Sequence, residues 1–328
     1  MDMRALVVTH PGGGDVLTVE DHPIPEPGRG EVVIKVAAVG VNFIDVYQRE
    51  GAYPVHTPFI LGNEGAGTVT AVGPEVTEVT EGDRVAWAMS IGAAAEYALV
   101  PASRLVPVPD DVPLETAAAV ILQGLTADYL VHTTYPVSEG VSTLVHAAAG
   151  GVGQLLVQMI TRLGGTVMAT AGTPAKRELA LSLGASAALD YADYDTASEL
   201  AAAVRESNGG RGVDVVYDGV GAATFDASLA SLRPLGMMVL FGASSGAVPP
   251  FDLQRLNSGG SLFVTRPSLG HYVASRDDLL ARSDRVLSAV ADGTLQVSVG
   301  GQYYFEDAAQ AYADLEGRRS SGKLLLLP

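Results

Sequence analysis

The chain contains no cysteine. That excludes disulfides, thiolate zinc sites, iron–sulfur clusters and cysteine nucleophiles together. Lysine is nearly as scarce: Lys35, Lys176 and Lys323 are the only lysines among 20 basic side chains, which face 37 acidic ones for a formal net charge of −17. So acidic a surface repels nucleic-acid backbones and anionic lipid headgroups, so neither is expected as a partner, and solubility is the plain reading of the charge. The six histidines (His10, His22, His56, His132, His146, His271) show no metal-ligand spacing. No apolar run is expected to reach the roughly 20 residues of a membrane span. The longest candidate, 117–122, ends at Gln123-Gly124. No charged stretch leads into a long apolar core at the N-terminus, so no signal peptide is expected and the cytoplasm is the default compartment.

What is present is apolar material. Of 328 residues, 48 % are hydrophobic and 17 % charged, which suits about two packed domains and not a disordered chain. The first third is rich in valine, glycine and proline, and strands are expected at 31–36, 67–72, 84–87 and 95–100. Their Gly/Pro/Asp punctuation points to a compact β-rich unit. After about residue 125 strands alternate with helix-length patterns. Strands are expected at 142–147, 166–170, 187–189, 213–217, 237–241 and 261–264, with helices over 152–163, 174–183, 196–206 and 224–232. Such alternation implies a doubly wound parallel sheet with helices on both faces. Beyond 266 the pattern is helical over 277–291 and ends in an apolar strand at 323–327.

Between the strand at 142–147 and the helix at 152–163 lies Ala147-Ala148-Ala149-Gly150-Gly151-Val152-Gly153. Ala148, Gly150 and Gly153 follow the G-x-G-x-x-G spacing with alanine in the first place. Gly150 lets backbone approach a pyrophosphate, Gly153 lets helix pack on strand, and the N–H groups of Ala149, Gly150, Gly151 and Val152 face the anion. A tight βα turn without a ligand would use the same glycines, so the surrounding alternation is what favours a dinucleotide.

The second strand ends Ala169-Thr170-Ala171-Gly172-Thr173, without the carboxylate that bonds the ribose 2′-hydroxyl of NAD. The next helix starts Pro174-Ala175-Lys176-Arg177. Two cations in a first turn oppose the macrodipole by roughly 0.3–1 kcal/mol each, a cost that a bound phosphate offsets. A solvated helix start is the bland alternative. The reading favoured here places Lys176 on a 2′-phosphate beside Gly172 and Thr173, which makes the cofactor NADPH.

The stretches Gly40-Val41-Asn42-Phe43-Ile44-Asp45, Gly62-Asn63-Glu64-Gly65-Ala66-Gly67, Gly82-Asp83-Arg84-Val85, Gly124-Leu125-Thr126-Ala127, His146 to Gly153, Val216-Tyr217-Asp218 and Val264-Thr265-Arg266-Pro267-Ser268-Leu269 together resemble the zeta-crystallin-like quinone reductases of the medium-chain dehydrogenase/reductase superfamily, in their bacterial form. The resemblance spans essentially the whole chain. It implies a GroES-like catalytic domain over 1–125, a Rossmann NADPH-binding domain over 126–265, and a tail at 266–328 that returns to the first domain. It also implies a homodimer pairing through the sheet edge near 261–264. Asn42 stands where zinc-dependent relatives carry cysteine, and Asn63 replaces the histidine of their Gly-His-Glu motif, so the expected enzyme is zinc-independent.

By the same resemblance Asn42, Tyr47 and Tyr53 line the nicotinamide and substrate side, and any of the three is a candidate hydrogen-bond donor to a quinone oxygen. Gln123 and Thr126 approach from the domain junction. Tyr191 is expected beside the adenine. Gly219, Phe241, Ser244, Val264 and Arg266 follow later strands, and Arg318 in the tail is expected at a phosphate. Gln123 departs from the lysine common in bacterial relatives, and Gly219 from serine. The implied reaction is reduction of a quinone by NADPH. Reduction of an activated enone C=C bond on the same scaffold, and a non-catalytic NADPH- or RNA-binding crystallin-like role, are the alternatives.

Overall fold

In the computed structural model, which describes residues 2–328, the chain forms two compact units. One runs to Leu125 and is completed by Val273–Pro328; the other is Thr126–Tyr272.

The first unit is built on strands of which β3, β5 and β6 carry runs of consecutive buried residues, while no residue of β2 is buried. Its elements are β1 (Asp2–Val8), β2 (Leu17–Pro23), β3 (Glu31–Gly40), α1 (Phe43–Arg49), β4 (Phe59–Ile60), β5 (Glu64–Val72), β6 (Arg84–Ala88), β7 (Tyr97–Pro101), β8 (Val106–Pro107) and α2 (Leu114–Tyr129). β1 forms a hairpin with β2 and also pairs with β4. β3 is the spine of the larger sheet and pairs antiparallel with β5 and β7. Trp87, the only tryptophan, is fully buried. A Cβ on Gly65 would stand 2.6 Å from its ring, so a glycine there lets the indole lie on the sheet. The sequence reading found the middle strands but not the β1–β2 hairpin, α1 or α2.

α2 also corrects the expectation about apolar runs. With its π-helical continuation to Thr134 it makes a 21-residue helix whose most apolar 18-residue window has a mean hydropathy of 1.2, long and apolar enough to cross a membrane. A count of consecutive apolar residues stops at Gln123-Gly124, whereas the helix continues through them. Its most apolar window is 72 % buried inside the protein, which suits a core helix.

The second unit is an α/β layer structure: β9 (Ser142–Val145), α3 (Gly151–Arg162), β10 (Thr166–Thr170), α4 (Pro174–Ser182), β11 (Ala187–Leu189), α5 (Ala197–Ser207), β12 (Val213–Asp218), α6 (Phe225–Ser231), β13 (Leu232–Leu240), α7 (Gln254–Ser258), β14 (Phe263–Thr265) and α8 (Leu269–Tyr272). Its six strands are all parallel, in the order β11-β10-β9-β12-β13-β14. This is the doubly wound arrangement, whose chain direction across the sheet reverses between β9 and β12, so ligands belong at the carboxyl ends of these strands. The helix starts are set by local chemistry. Thr173 caps α4, with Pro174 following, and Thr196 forms a reciprocal capping box with Glu199 at α5. The unit extends to Tyr272 because that ring stacks on Tyr129 at 4.1 Å and its hydroxyl meets Thr134 Oγ1 at 3.0 Å.

The tail supplies α9 (Arg276–Ala291), β15 (Val299–Tyr304), α10 (Ala308–Glu316) and β16 (Lys323–Leu327) to the first unit. β16 pairs antiparallel with β3, Leu325 opposite Gly40 and Leu326 opposite Val39. This pairing carries Lys323, the first residue of an otherwise all-leucine strand, into the interior.

Candidate active site

The functional residues fall into two groups, one in each unit. In the second unit the turn after β9 begins at Ala147, which holds a left-handed φ of 50°. Its carbonyl accepts the Gly150 N–H at 2.8 Å. A Cβ on Gly153 would stand 2.4 Å from that same carbonyl oxygen, so glycine is required where α3 meets the turn. Gly150 is the N-cap of α3 and offers no capping side chain. The first N–H groups of α3, from Gly151 and Val152, are therefore left to whatever anion arrives.

At the end of β10, Gly172 and Thr173 lead into α4, and the Lys176 N–H is 3.3 Å from Thr173 Oγ1. Arg177 is held by an ion pair with Asp190, and Lys176 precedes it in the first turn of α4. Asp190 is itself held below the usual carboxylate range, first by the Ala192 N–H and then by Arg177. No acid stands among residues 170–173, so the residues present suit a dinucleotide bearing a 2′-phosphate.

Tyr191 follows in a short 3-10 turn. Its hydroxyl accepts the Ala147 N–H at 2.8 Å and lies 3.4 Å from the Thr170 carbonyl, and its ring is stacked 6.1 Å from His146. His146 is buried, with Nδ1 2.8 Å from Thr170 Oγ1. Burial lowers its pKa, against the opposing pull of Asp218. Further along, Asp218 shapes the turn after β12: its carboxylate receives Val220 N–H, Gly221 N–H, Thr224 Oγ1 and Ser228 Oγ, all within 3.0 Å. A Cβ on Gly219 would meet the Phe241 ring at 2.8 Å. The Ser244 N–H donates to the Gly219 carbonyl at 3.2 Å. Val264 lies in β14, and Arg266 beyond it donates to the Leu240 carbonyl at 3.0 Å. Thr126, on α2, is buried.

The first unit holds a buried polar cluster that sequence reasoning saw only in part. Asn42, at the start of α1, has Nδ2 3.0 Å from the Gly40 carbonyl and 2.9 Å from Glu64 Oε2. Its Oδ1 accepts from Lys323 Nζ at 2.9 Å and Gln123 Nε2 at 3.2 Å. Lys323 Nζ also pairs with Glu64 Oε2 at 2.5 Å, and Glu64 Oε1 takes the Leu122 N–H at 2.6 Å. Glu64 is wholly buried and Lys323 is 2 % exposed. Burial lowers the Lys323 pKa and its partner Glu64 raises it. Gly40 makes room for the pair, because a Cβ there would lie 2.2 Å from Glu64 Oε2 and 2.6 Å from Lys323 Cε.

Both N–H bonds of Asn42 are therefore spent inside the protein, which removes it as a donor to a substrate oxygen and makes it a fixed wall. Gln123, which donates to it, keeps a buried Oε1 without a partner among the described residues. Asp45 completes the cluster. It accepts from the Asn42 N–H at 2.9 Å, Asn63 Nδ2 at 2.8 Å and the Tyr312 hydroxyl at 3.1 Å. Burial pushes its carboxyl up to about 6, against the lowering effect of these bonds and of Lys323. The amides of Asn42 and Asn63 are neutral and committed to carboxylates, a donor set unlike that of a zinc site.

Tyr47, on α1, and Tyr53 have ring centroids 5.3 Å apart, with the Tyr53 N–H on the Tyr47 carbonyl at 2.9 Å. Tyr53 is 44 % exposed. Arg318, two residues beyond the end of α10, holds a left-handed φ of 55°. Sequence reasoning left Asp45 and Glu64 outside the site and gave Lys323 no role. The available signal was a lone lysine opening a leucine strand in a chain with three lysines.

The comparisons with known proteins agree with this geometry. Residues 28–110 match the alcohol dehydrogenase GroES-like domain, and residues 151–278 the zinc-binding dehydrogenase domain. The chain is 41 % identical to a quinone oxidoreductase of Pseudomonas aeruginosa, over 97 % of each chain. It is 40 % identical to a 2-haloacrylate reductase of Burkholderia sp, over 99 % of each. A mycobacterial protein solved in complex with NADPH superposes with a TM-score of 0.96 at 49 % identity, covering 99 % of this chain and all of that one. With its GroES-like unit, its six-stranded Rossmann sheet and these relatives, the chain belongs to the quinone oxidoreductase family of the medium-chain dehydrogenase/reductase superfamily.

Proposed function

We infer that this protein is a zinc-independent, NADPH-dependent quinone oxidoreductase. The observation that carries the cofactor is the end of β10, where no acid stands ahead of the first turn of α4 that holds Lys176. Bound NADPH supplies the reducing equivalents. The N–H groups of Ala149, Gly151 and Val152 hold its pyrophosphate, the Gly150 N–H expected there being spent on the Ala147 carbonyl, and Lys176 with Gly172 and Thr173 holds its 2′-phosphate. Gly219, Phe241, Ser244, Val264 and Arg266 line its path along the strand ends, and Tyr191 supports its adenine end.

On the substrate side the chain's own residues bind and orient the acceptor. Charge develops on a quinone oxygen as it is reduced, and a donor aimed at that oxygen lowers the barrier. With Asn42 committed to Glu64 and Gly40, Tyr47 and Tyr53 are the donors, while Asn42 and Gln123 shape the wall. NADPH oxidation followed with a series of quinones tests this assignment, and an enzyme that leaves quinones untouched overturns it. Reduction of an activated C=C bond is the second reading, favoured by the 40 % identity to a 2-haloacrylate reductase. The same assay with α,β-unsaturated acids and ketones separates the two.

We also propose a homodimer formed through the β14 edge. Phe263 on β14 and Leu235 on β13 are 54 % and 60 % exposed, and a free parallel edge with large apolar side chains favours pairing with a second copy. Phe263→Lys should shift sedimentation from dimer to monomer. An unchanged wild-type dimer would place the interface elsewhere.

A further inference from the structure

The most informative unassigned contact lies beneath the glycine turn. Ala147 is not glycine, yet it holds a left-handed φ of 50°. L-residues with a Cβ disfavour that region. Its N–H is held by Tyr191, whose hydroxyl accepts it at 2.8 Å from the far side of β10. Its carbonyl is the pivot of the turn: it accepts the Gly150 N–H at 2.8 Å, and the close approach of Gly153 is measured against it. The two peptides that meet at Ala147 thus set where the anion-facing N–H groups stand.

Tyr191 is itself fixed from two sides. Its hydroxyl reaches the Thr170 carbonyl at 3.4 Å, and its ring is stacked on buried His146, whose Nδ1 meets Thr170 Oγ1 at 2.8 Å. The Thr170 carbonyl also accepts the Ala148 N–H at 3.0 Å. The ends of β9 and β10 and the turn after β11 are tied together under the phosphate loop.

We propose that Tyr191 is a positioning residue, whose hydroxyl is a strut that holds Ala147 left-handed and so preorganises the pyrophosphate loop. This role rests on the dinucleotide reading above and gives Tyr191 a different part from adenine stacking. It separates three contributions that the side chain could make. A stacking ring survives replacement by phenylalanine. A hydroxyl on the 2′-phosphate matters for NADPH alone. A strut under the loop matters for every dinucleotide, because NADPH and NADH share the pyrophosphate.

The test is titration of Tyr191→Phe with NADPH and with NADH by fluorescence, without an electron acceptor, beside a thermal melt. The loss of one hydrogen bond predicts weakening of both cofactors by the same factor, about three- to tenfold. Adding Ala147→Gly should restore most of the binding, because glycine holds that φ without a strut. A merely structural hydroxyl would lower the melting temperature and leave both dissociation constants in place, which would overturn the proposal. Loss for NADPH alone, or an equal loss that glycine at 147 does not rescue, would also overturn it. The wild-type quinone assay is read separately: a wild type that binds NADPH but reduces no quinone removes the functional reading and leaves the strut to be judged on the titrations.

Discussion

Replacing Lys323 by methionine should be among the most damaging single changes in the first unit. The side chain is 2 % exposed and its ammonium lies between Glu64 Oε2 and Asn42 Oδ1. Methionine keeps most of the volume and removes the charge. Glu64, wholly buried, would then hold a carboxylate with only the Leu122 N–H and Asn42 Nδ2 as partners. Removing one member of a buried pair costs about 3–5 kcal/mol, because the remaining charge is left uncompensated. Removing both charges, as Lys323→Met with Glu64→Gln, should recover most of that loss. Trp87 is the only tryptophan and is fully buried in this unit, so its emission during urea unfolding reports the right transition. The midpoint should fall markedly for the single variant and return toward wild type for the double one. A single variant that loses less than about 1 kcal/mol, or a double variant no better than the single, would refute the claim that this pair is a desolvated, mutually dependent unit.

The neighbouring Asp45 should give the pH dependence of this cluster a definite sign. Its carboxyl titrates at about 6 in the folded chain against 3.8 ordinarily, so its contribution is fully present below the lower value and lost as pH rises through 6. The difference corresponds to roughly 3 kcal/mol. The stability of wild type relative to Asp45→Asn should therefore grow as pH falls from 7 toward 4, and a relative loss in urea titrations over that range would contradict the burial argument. Lys176→Ala should weaken NADPH far more than NADH, whereas equal losses in parallel titrations would remove Lys176 from the 2′-phosphate. Tyr53→Phe should lower the turnover number about tenfold or more with NADPH affinity unchanged, on the scale of one lost transition-state donor. An unchanged rate would leave the donor role to Tyr47.

The second unit was largely readable from sequence because its signals are local. Apolar runs such as 166–170 and 213–217, glycines at helix ends and the 147–153 turn each announce themselves within a few residues. The β1–β2 hairpin was missed because the apolar/polar alternation of β2 lasts only from Leu17 to Glu20 before Asp21-His22-Pro23, and none of its residues is fully buried. The polar cluster of the first unit was hidden for a different reason. Asn42 and Glu64 lie 22 positions apart, Lys323 a further 259, and only the pairing of β16 with β3 brings them together. Motif resemblance drew attention to Asn42 as a donor, and the hydrogen bonds show its amide already committed. Lys176 was already the favoured cation in the sequence, but the ion pair of Arg177 with Asp190, 13 residues on, was not visible there.

The central claim is the transfer of reducing equivalents from NADPH to a quinone. It is tested most directly by following NADPH absorbance with purified protein and a simple benzoquinone or naphthoquinone, alongside an α,β-unsaturated acid. The expected result is NADPH consumption that depends on enzyme and quinone, is markedly slower with NADH, and outpaces reduction of the unsaturated acid. Turnover of the unsaturated acid with none of the quinones, or an equal preference for NADH, would contradict it.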